Sequence, residues 1–288
     1  MVEWYDTNLK RNWGYNAAPA AMLYLSNPPE VKLIEPFPEY IVKRGRGEEN
    51  LNRMVDLMDL FVKDTGFMKF WEEQQPFYKE FVDKIKNQIP FKEYNQLIKD
   101  FYGEEKANFV FIPVPLFLRG GYAAERETDK GKIVYFIGGP HKLENGFPVY
   151  ESKILRMLVF HEFGHSFTKP VVNDYEDRLN EYKHLFKYMK ESMKELTYTD
   201  WITTCDEHFV RCGEYFLLRL AGFSEESQQG YERDLKEGFL LLPFIKEKME
   251  IYINNRVKFQ SFREFFPNFF EVFETVEPAL KKNPSNIL

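Results

Sequence analysis

Only two cysteines, Cys205 and Cys212, occur in 288 residues. One bridge cannot staple a chain of this length, which excludes a disulfide-built scaffold. On a helix, two turns would separate the pair by about 10 Å, beyond the ~7 Å Cα spacing that a bridge spans. Both are expected as free, small core thiols, in keeping with a reducing compartment. No run of about 18 apolar residues exists, so no membrane span is expected. Basic residues are not in excess: 39 Lys+Arg stand against 45 Asp+Glu, a net charge of −6, which argues against a nucleic-acid partner. Glycine and proline number 16 each, too few for a collagenous or low-complexity chain. No repeat of roughly 20–50 residues is visible, and no Gly-, Ser- or Pro-rich linker divides the chain. Met1 to Lys10 lacks the apolar stretch of a signal peptide. The sequence as it stands is expected in the cytoplasm; an exported protein whose signal had been removed would read the same.

What is abundant is apolar and aromatic: 44% hydrophobic residues, with 29 Phe, 17 Tyr and 4 Trp. Each buried ring removes ~150–250 Å² from water, so the chain can build a sizeable core. The Phe-rich stretch Phe259, Phe262, Phe265, Phe266, Phe269, Phe270 and Phe273 is read as core rather than as a docking surface. Periodicity predicts a predominantly helical α+β protein. Residues 1–48 read as irregular, broken by prolines. Leu51, Met54, Val55, Met58 and Val62 recur at three and four, predicting a helix over 49–65 that stops at Gly66. Residues 67–89 predict a second, with a break at Pro76, and 91–102 a third, ended by Gly103. Asn108 to Leu118 reads as an edge strand punctuated by Pro113 and Pro115, and Lys132 to Ile137 as a cleaner strand. Arg119 to Gly131 between them is polar with three glycines and reads as a hairpin or longer loop. A loop follows to about Tyr150. Ser152 to Thr168 is predicted helical, with Ser152 as N-cap and Pro170 beyond its end. Residues 174–196 predict a polar helix, and the next runs from a cap at Thr199 or Asp200 to Gly222. Residues 225–255 and 261–275 complete the chain. The expected organisation is one compact unit over 1–288: a mostly helical layer over 1–105, a small mixed or antiparallel sheet over 106–140, and a helical half over 150–288.

The segment with chemical content is Val159-Phe160-His161-Glu162-Phe163-Gly164-His165-Ser166. On a helix, His161 and His165 project from one face and can share one Zn²⁺ at ~2.0–2.1 Å each. Glu162 is then placed to act on a water at the metal rather than on the metal itself, which suits a general base. Gly164 permits close packing beside the pair. A catalytic zinc needs a third protein ligand and an open position. The metzincin pattern would put glycine and histidine where Thr168 and Val171 stand, and fails. The gluzincin pattern takes a Glu from a later helix, and Glu207 is the best candidate. It sits in the otherwise largely apolar run Trp201 to Cys212, where a carboxylate needs a partner. Arg211 at i+4 supplies one and would hold Glu207 in place. Glu214 lies on the same face as a competitor, and Asp206, Asp174 and Glu181 are weaker ones. His208 is a candidate to steady a developing oxyanion, or a ligand should Glu207 not serve. The edge strand over Asn108 to Glu125 could receive an extended peptide by strand addition. Gly121-Tyr122-Ala123-Ala124-Glu125 within it is similar to the Gly-x-Met-Glu-Asn run of gluzincin aminopeptidases but lacks Met and Asn, so exopeptidase specificity does not follow. Tyr122 is its substrate-binding candidate. His141 and His184 have no partner pattern.

Taken together, these stretches resemble a bacterial family of zincin-like proteins described only as a domain of unknown function. The resemblance rests on His161 to Ser166 followed by Pro170, and on Asp206-Glu207-His208-Phe209-Val210-Arg211. Softer matches are Asp64-Thr65-Gly66-Phe67 through Pro76-Phe77-Tyr78, and Tyr252 to Pro267. It implies a gluzincin-like fold and a metallopeptidase activity on a peptide or protein substrate, with one Zn²⁺ per chain held by His161, His165 and Glu207 and with Glu162 as base. The rivals are a hydrolase of another amide or ester on the same residues, a protein with an inert metal site, and a metal-free helical interaction module docking through its Phe-rich segment. Mn, Fe or Co in place of Zn is compatible with the same ligands.

Overall fold

The computed structural model describes residues 17–105, 108–117, 120–129 and 131–282. The irregular reading of residues 1–16 lies outside them, as do the ends of two predicted elements, Leu118 and Arg119. The expectation of one unit meets a division into two, the first ending at Asn87 and the second beginning at Gln88. The boundary falls in the short loop before Phe91. Among the described residues no helix is long and apolar enough to cross a membrane.

The first unit is helical. Short helices α1 (Ala17–Met22) and α2 (Glu39–Arg44) stand where only irregular chain was expected. Helix α3 (Glu48–Asp64) begins with two acidic residues against its N-terminal dipole and buries Leu51, Met54, Val55, Leu57 and Val62. Gly66, at φ +66°, turns the chain into α4 (Phe67–Lys86). Pro76 does not break α4. Its ring removes one backbone bond, to the carbonyl of Glu72, but both residues are exposed and water can take the freed carbonyl.

The second unit opens with α5 (Phe91–Tyr102), ended as expected by Gly103 in the left-handed conformation. A mixed three-stranded sheet follows. Strand β1 (Asn108–Pro113) runs parallel to β3 (Gly131–Gly139), and β2 (Gly120–Thr128) runs antiparallel on its other side, in the order β1-β3-β2. The loop expected over Arg119 to Gly131 is thus largely strand β2. The run of polar residues at its end, Glu125 to Thr128, and the glycines at its start hid a strand whose buried positions are Tyr122 and Ala124. Gly121 lies where the Phe136 ring crosses; a Cβ there would meet that ring at 2.2 Å. The loop expected up to Tyr150 holds a small hairpin, β4 (Lys142–Glu144) and β5 (Phe147–Val149), turning through Asn145 and Gly146, both at positive φ.

The long helix α6 (Ser152–Asp174) packs against β2 and β3. It starts one residue after Glu151, so Ser152 is the first helical residue and not the cap. It also runs through Pro170, because Thr168, Val171 and Val172 around the proline are fully buried and hold the segment helical. The polar helix expected over 174–196 is three short pieces: α7 (Glu176–Asn180), a 3₁₀ turn (Lys183–Tyr188) and α8 (Lys190–Glu195). Asp200 caps α9 (Trp201–Leu220), its carboxylate accepting from the Thr203 N–H at 2.8 Å. Helices α10 (Ser224–Lys236), α11 (Leu242–Asn254), α12 (Phe262–Phe265), α13 (Phe270–Thr275) and α14 (Glu277–Lys282) complete the unit. Six of the seven Phe-rich residues, from Phe262 to Phe273, are at most 2% exposed. That stretch is core and offers no docking face.

What brings α6 and α9 together is a pair of glycines around one tyrosine. A Cβ on Gly164 would lie 2.8 Å from Val210 Cγ2 and 3.1 Å from the Tyr102 hydroxyl; one on Gly213 would lie 2.2 Å from that hydroxyl. Tyr102 is fully buried, stacks on Phe167 at 4.7 Å, and its hydroxyl has no hydrogen-bond partner. In an open helix Gly→Ala gains about 0.5–1 kcal/mol. Here Gly213→Ala is expected to cost about 1–3 kcal/mol through overpacking. Tyr102→Phe, which removes an unsatisfied buried group, is expected to be near neutral alone and to relieve much of that cost. Chemical denaturation of both single variants and the double variant measures this; an unchanged Gly213→Ala would refute the packing argument.

Candidate metal centre

Helix α6 presents His161 and His165 one turn apart, and α9 presents Glu207 opposite them. The two imidazole Nε2 atoms are 3.2 Å apart. Glu207 Oε2 lies 3.7 Å from His161 Nε2, and Oε1 lies 3.5 Å from His165 Nε2. One donor atom from each residue falls within a 4.8 Å cluster. The predicted ligand set is therefore brought together in space.

The far side of each ring decides what the near side is. His161 Nδ1 faces Glu214 Oε2 at 3.2 Å, and His165 Nδ1 faces Asp206 Oδ2 at 2.9 Å. A carboxylate accepts, so each Nδ1 carries a proton. A neutral ring then turns a bare lone pair inward at Nε2, and two lone pairs at 3.2 Å repel unless a cation lies between them. Burial drives His161 down to about 3, with the neighbouring His165 and Arg211 charges adding to it. For His165 burial is outweighed by the charge and hydrogen bond of Asp206 and by Glu207 and Glu162, which lift it to about 9. The two rings are thus driven in opposite directions, and His165 is the one that favours a proton. Glu207 Oε2 is buried and has no hydrogen-bond partner. Two nitrogens, one carboxylate and an unsatisfied oxygen form the donor set of a three-ligand zinc site with a fourth position open, and the residues fit such an ion.

Glu162 is buried on α6 beside these groups. Burial pushes its carboxyl up to about 7; Glu207 adds to the rise, while His165 and a hydrogen bond from the Ala123 backbone oppose it. That last contact brings edge strand β2 against the proposed base.

Two assigned side chains stand apart from this group. His208, next in sequence to Glu207, is rotated away by about 100° of helix. Its ring is fully buried against Phe239 at 5.0 Å, and its Nδ1–H donates to the Thr204 carbonyl at 2.7 Å. Burial lowers it to about 4. At neutral pH its Nε2 is therefore a lone pair, which cannot donate to an oxyanion. Tyr122 is buried in β2 with its ring on Phe117 at 5.9 Å; the strand meets the site through the neighbouring Ala123 backbone. Arg211 does stand beside Glu207, its Nε 3.4 Å from Oε2.

Several contributors were not foreseen in these roles. Asp206 and Glu214, read as rival ligands, instead back the two imidazoles; Thr168 Oγ1 donates to Asp206 at 2.6 Å and fixes it. Burial raises Glu214 to about 7 against the pull of Arg211 and Arg233. The Tyr198 hydroxyl accepts from Arg211 Nη2 at 3.4 Å; burial and the nearby Glu207 charge raise it to about 12. Asp234 on α10 binds Arg211 Nη1 at 2.9 Å. Only the two on the run Trp201 to Cys212 and its continuation carried a signal in the sequence, as acids in an apolar helix.

The fold and site together define a predominantly helical α+β protein with a partly buried His-His-Glu cluster on two packed helices. The chain belongs to the family described as a domain of unknown function, DUF4932, whose model matches residues 6–272. No curated protein and no solved structure matches it.

If the carboxylates orient the rings, Asp206→Asn is expected to weaken zinc binding about 10–100-fold. Zinc titration against a competing chelator measures it; affinity equal to wild type would remove Asp206 from the site.

Proposed function

We propose that this chain is a zinc-dependent hydrolase of the gluzincin kind and that its substrates are peptides. The observation that carries the reading is the inward-facing pair of His161 and His165 Nε2 atoms beside the unsatisfied Glu207 oxygen, with Glu162 one position along α6. His161, His165 and Glu207 would hold the ion. The chemistry zinc supplies in such a set is a lowered pKa for water, toward ~7, and polarisation of a carbonyl. Glu162 takes a proton from the attacking water and returns it to the leaving amine. Its raised pKa suits both halves of that task at neutral pH. Tyr198, a hydroxyl donor beside Glu207, is the better placed group to steady negative charge, now that His208 has no proton to offer. The outer edge of β2 adjoins Glu162 through Ala123, and an open strand edge binds an extended main chain by adding a strand. This favours peptides over compact esters or amides.

Metal analysis of purified wild type, Glu162→Gln and His161→Ala tests the site. About one zinc per chain is expected in the first two, with a large loss in the third. On a peptide library, Glu162→Gln is expected to lose about 10²–10⁴-fold in kcat. Metal-free wild type that also refuses added zinc would refute the reading. Turnover of an ester panel but not of peptides would leave the metal site and overturn the substrate.

A further inference from the structure

Arg211 faces two carboxylates and treats them differently. With Asp234 Oδ1 its Nη1 makes a hydrogen-bonded ion pair at 2.9 Å. With Glu207 Oε2, one turn back on its own helix, Nε stands at 3.4 Å, yet Nε and Oε2 are both buried without a hydrogen-bond partner. An Arg and a carboxylate at i,i+4 in a dry setting ordinarily close into a charge-assisted, often bidentate bond. Here the guanidinium is restrained from closing. Its plane lies over the Phe239 ring at 4.2 Å, and the Tyr198 hydroxyl meets Nη2. Asp234 is 3% exposed and itself gripped by Arg233, through Nη2 at 2.9 Å and Nε at 3.2 Å. Helix α10, which carries it, is tied to α9 by the Ser227 hydroxyl on the Tyr215 carbonyl at 2.7 Å.

We propose that Asp234 is a positioning residue that holds Arg211 back from Glu207, so that a positive charge sustains the buried carboxylate while its Oε2 stays open to the metal. The inference rests on the metal site proposed above. Were Arg211 released, it would rotate onto Glu207, occupy the oxygen lone pairs and compete with the ion. Asp234 is bonded to none of the three proposed ligands, and it acts only through Arg211. This separates it from a residue that merely stabilises the fold.

The test is the zinc dissociation constant, read with a competing chromophoric chelator, in wild type, Asp234→Asn, Arg211→Gln and the double variant. Unfolding with EDTA present confirms that each is folded. Asp234→Asn is expected to bind zinc about 10-fold or more weakly. In the Arg211→Gln background the same change is expected to shift affinity less than about 2-fold, since nothing is left to hold back. An equal loss in both backgrounds, or no loss in Asp234→Asn alone, overturns the proposal. If Asp234→Asn does not fold, Phe239→Leu removes the ring beneath the guanidinium and leaves every charge in place; it is expected to weaken binding in the same Arg211-dependent way, and unchanged affinity in it is equally decisive. Failure of the metal site itself is distinct: it appears in wild type, as a chain that takes up no zinc, and takes both readings down.

Discussion

Two imidazole nitrogens facing one another at 3.2 Å, each ring with its other nitrogen committed to a carboxylate, are the constraint around which the second unit is arranged. Such a pair is unfavourable in a low-dielectric interior without a cation between its members. It persists because the helices carrying it are fixed by unrelated contacts. Gly164 and Gly213 let α6 and α9 close on the Tyr102 ring. The sheet covers α6, and α10 covers α9. The packing supplies the rigidity, and the lone pairs supply the affinity for a positive ion. Neither alone would make the proposed metal centre.

The histidine helix was legible because it combines a fixed spacing with an apolar surround. A four-residue interval places both rings on one face whatever the rest of the chain does. Glu207 was legible for a different reason: a carboxylate in a largely apolar helix demands a partner, and the partner was one turn away. What failed was anything decided by rotation or by distant elements. His208 adjoins Glu207 in sequence and faces Phe239 in space. Asp206 and Glu214 were visible as acids, but which acid binds an ion and which backs a ring depends on how α9 is turned against α6. Asp234 comes from another element and had no local mark, and the run Gly121 to Glu125 drew attention to the Tyr122 side chain rather than to the Ala123 backbone. Strand β2 was hidden by its polarity, because an edge strand needs apolar side chains only on alternate positions. Pro76 and Pro170 read as helix ends and were not, since each removes a single bond that exposure or burial of the surroundings makes tolerable.

The charge arrangement gives a reason for the division of labour among the acids. Five carboxylates, Glu162, Asp206, Glu207, Glu214 and Asp234, lie buried within one small region. An uncompensated charge there is costly. Asp206 has the His165 ring and the Thr168 hydroxyl. Glu214 has the His161 ring. Asp234 has two guanidiniums, and Glu207 has Arg211 and the Tyr198 hydroxyl. Protonating any of these four would disturb an orientation that the others depend on. Glu162 differs in kind. Its hydrogen-bonding contact is with the Ala123 backbone, which holds the carboxylate in place without fixing its protonation. Burial lifts both Glu162 and Glu214 to about 7, so acidity alone does not choose between them as the proton carrier. Connectivity does: a proton on Glu214 would weaken the bond that keeps the His161 lone pair facing inward, whereas a proton on Glu162 leaves every ring where it is.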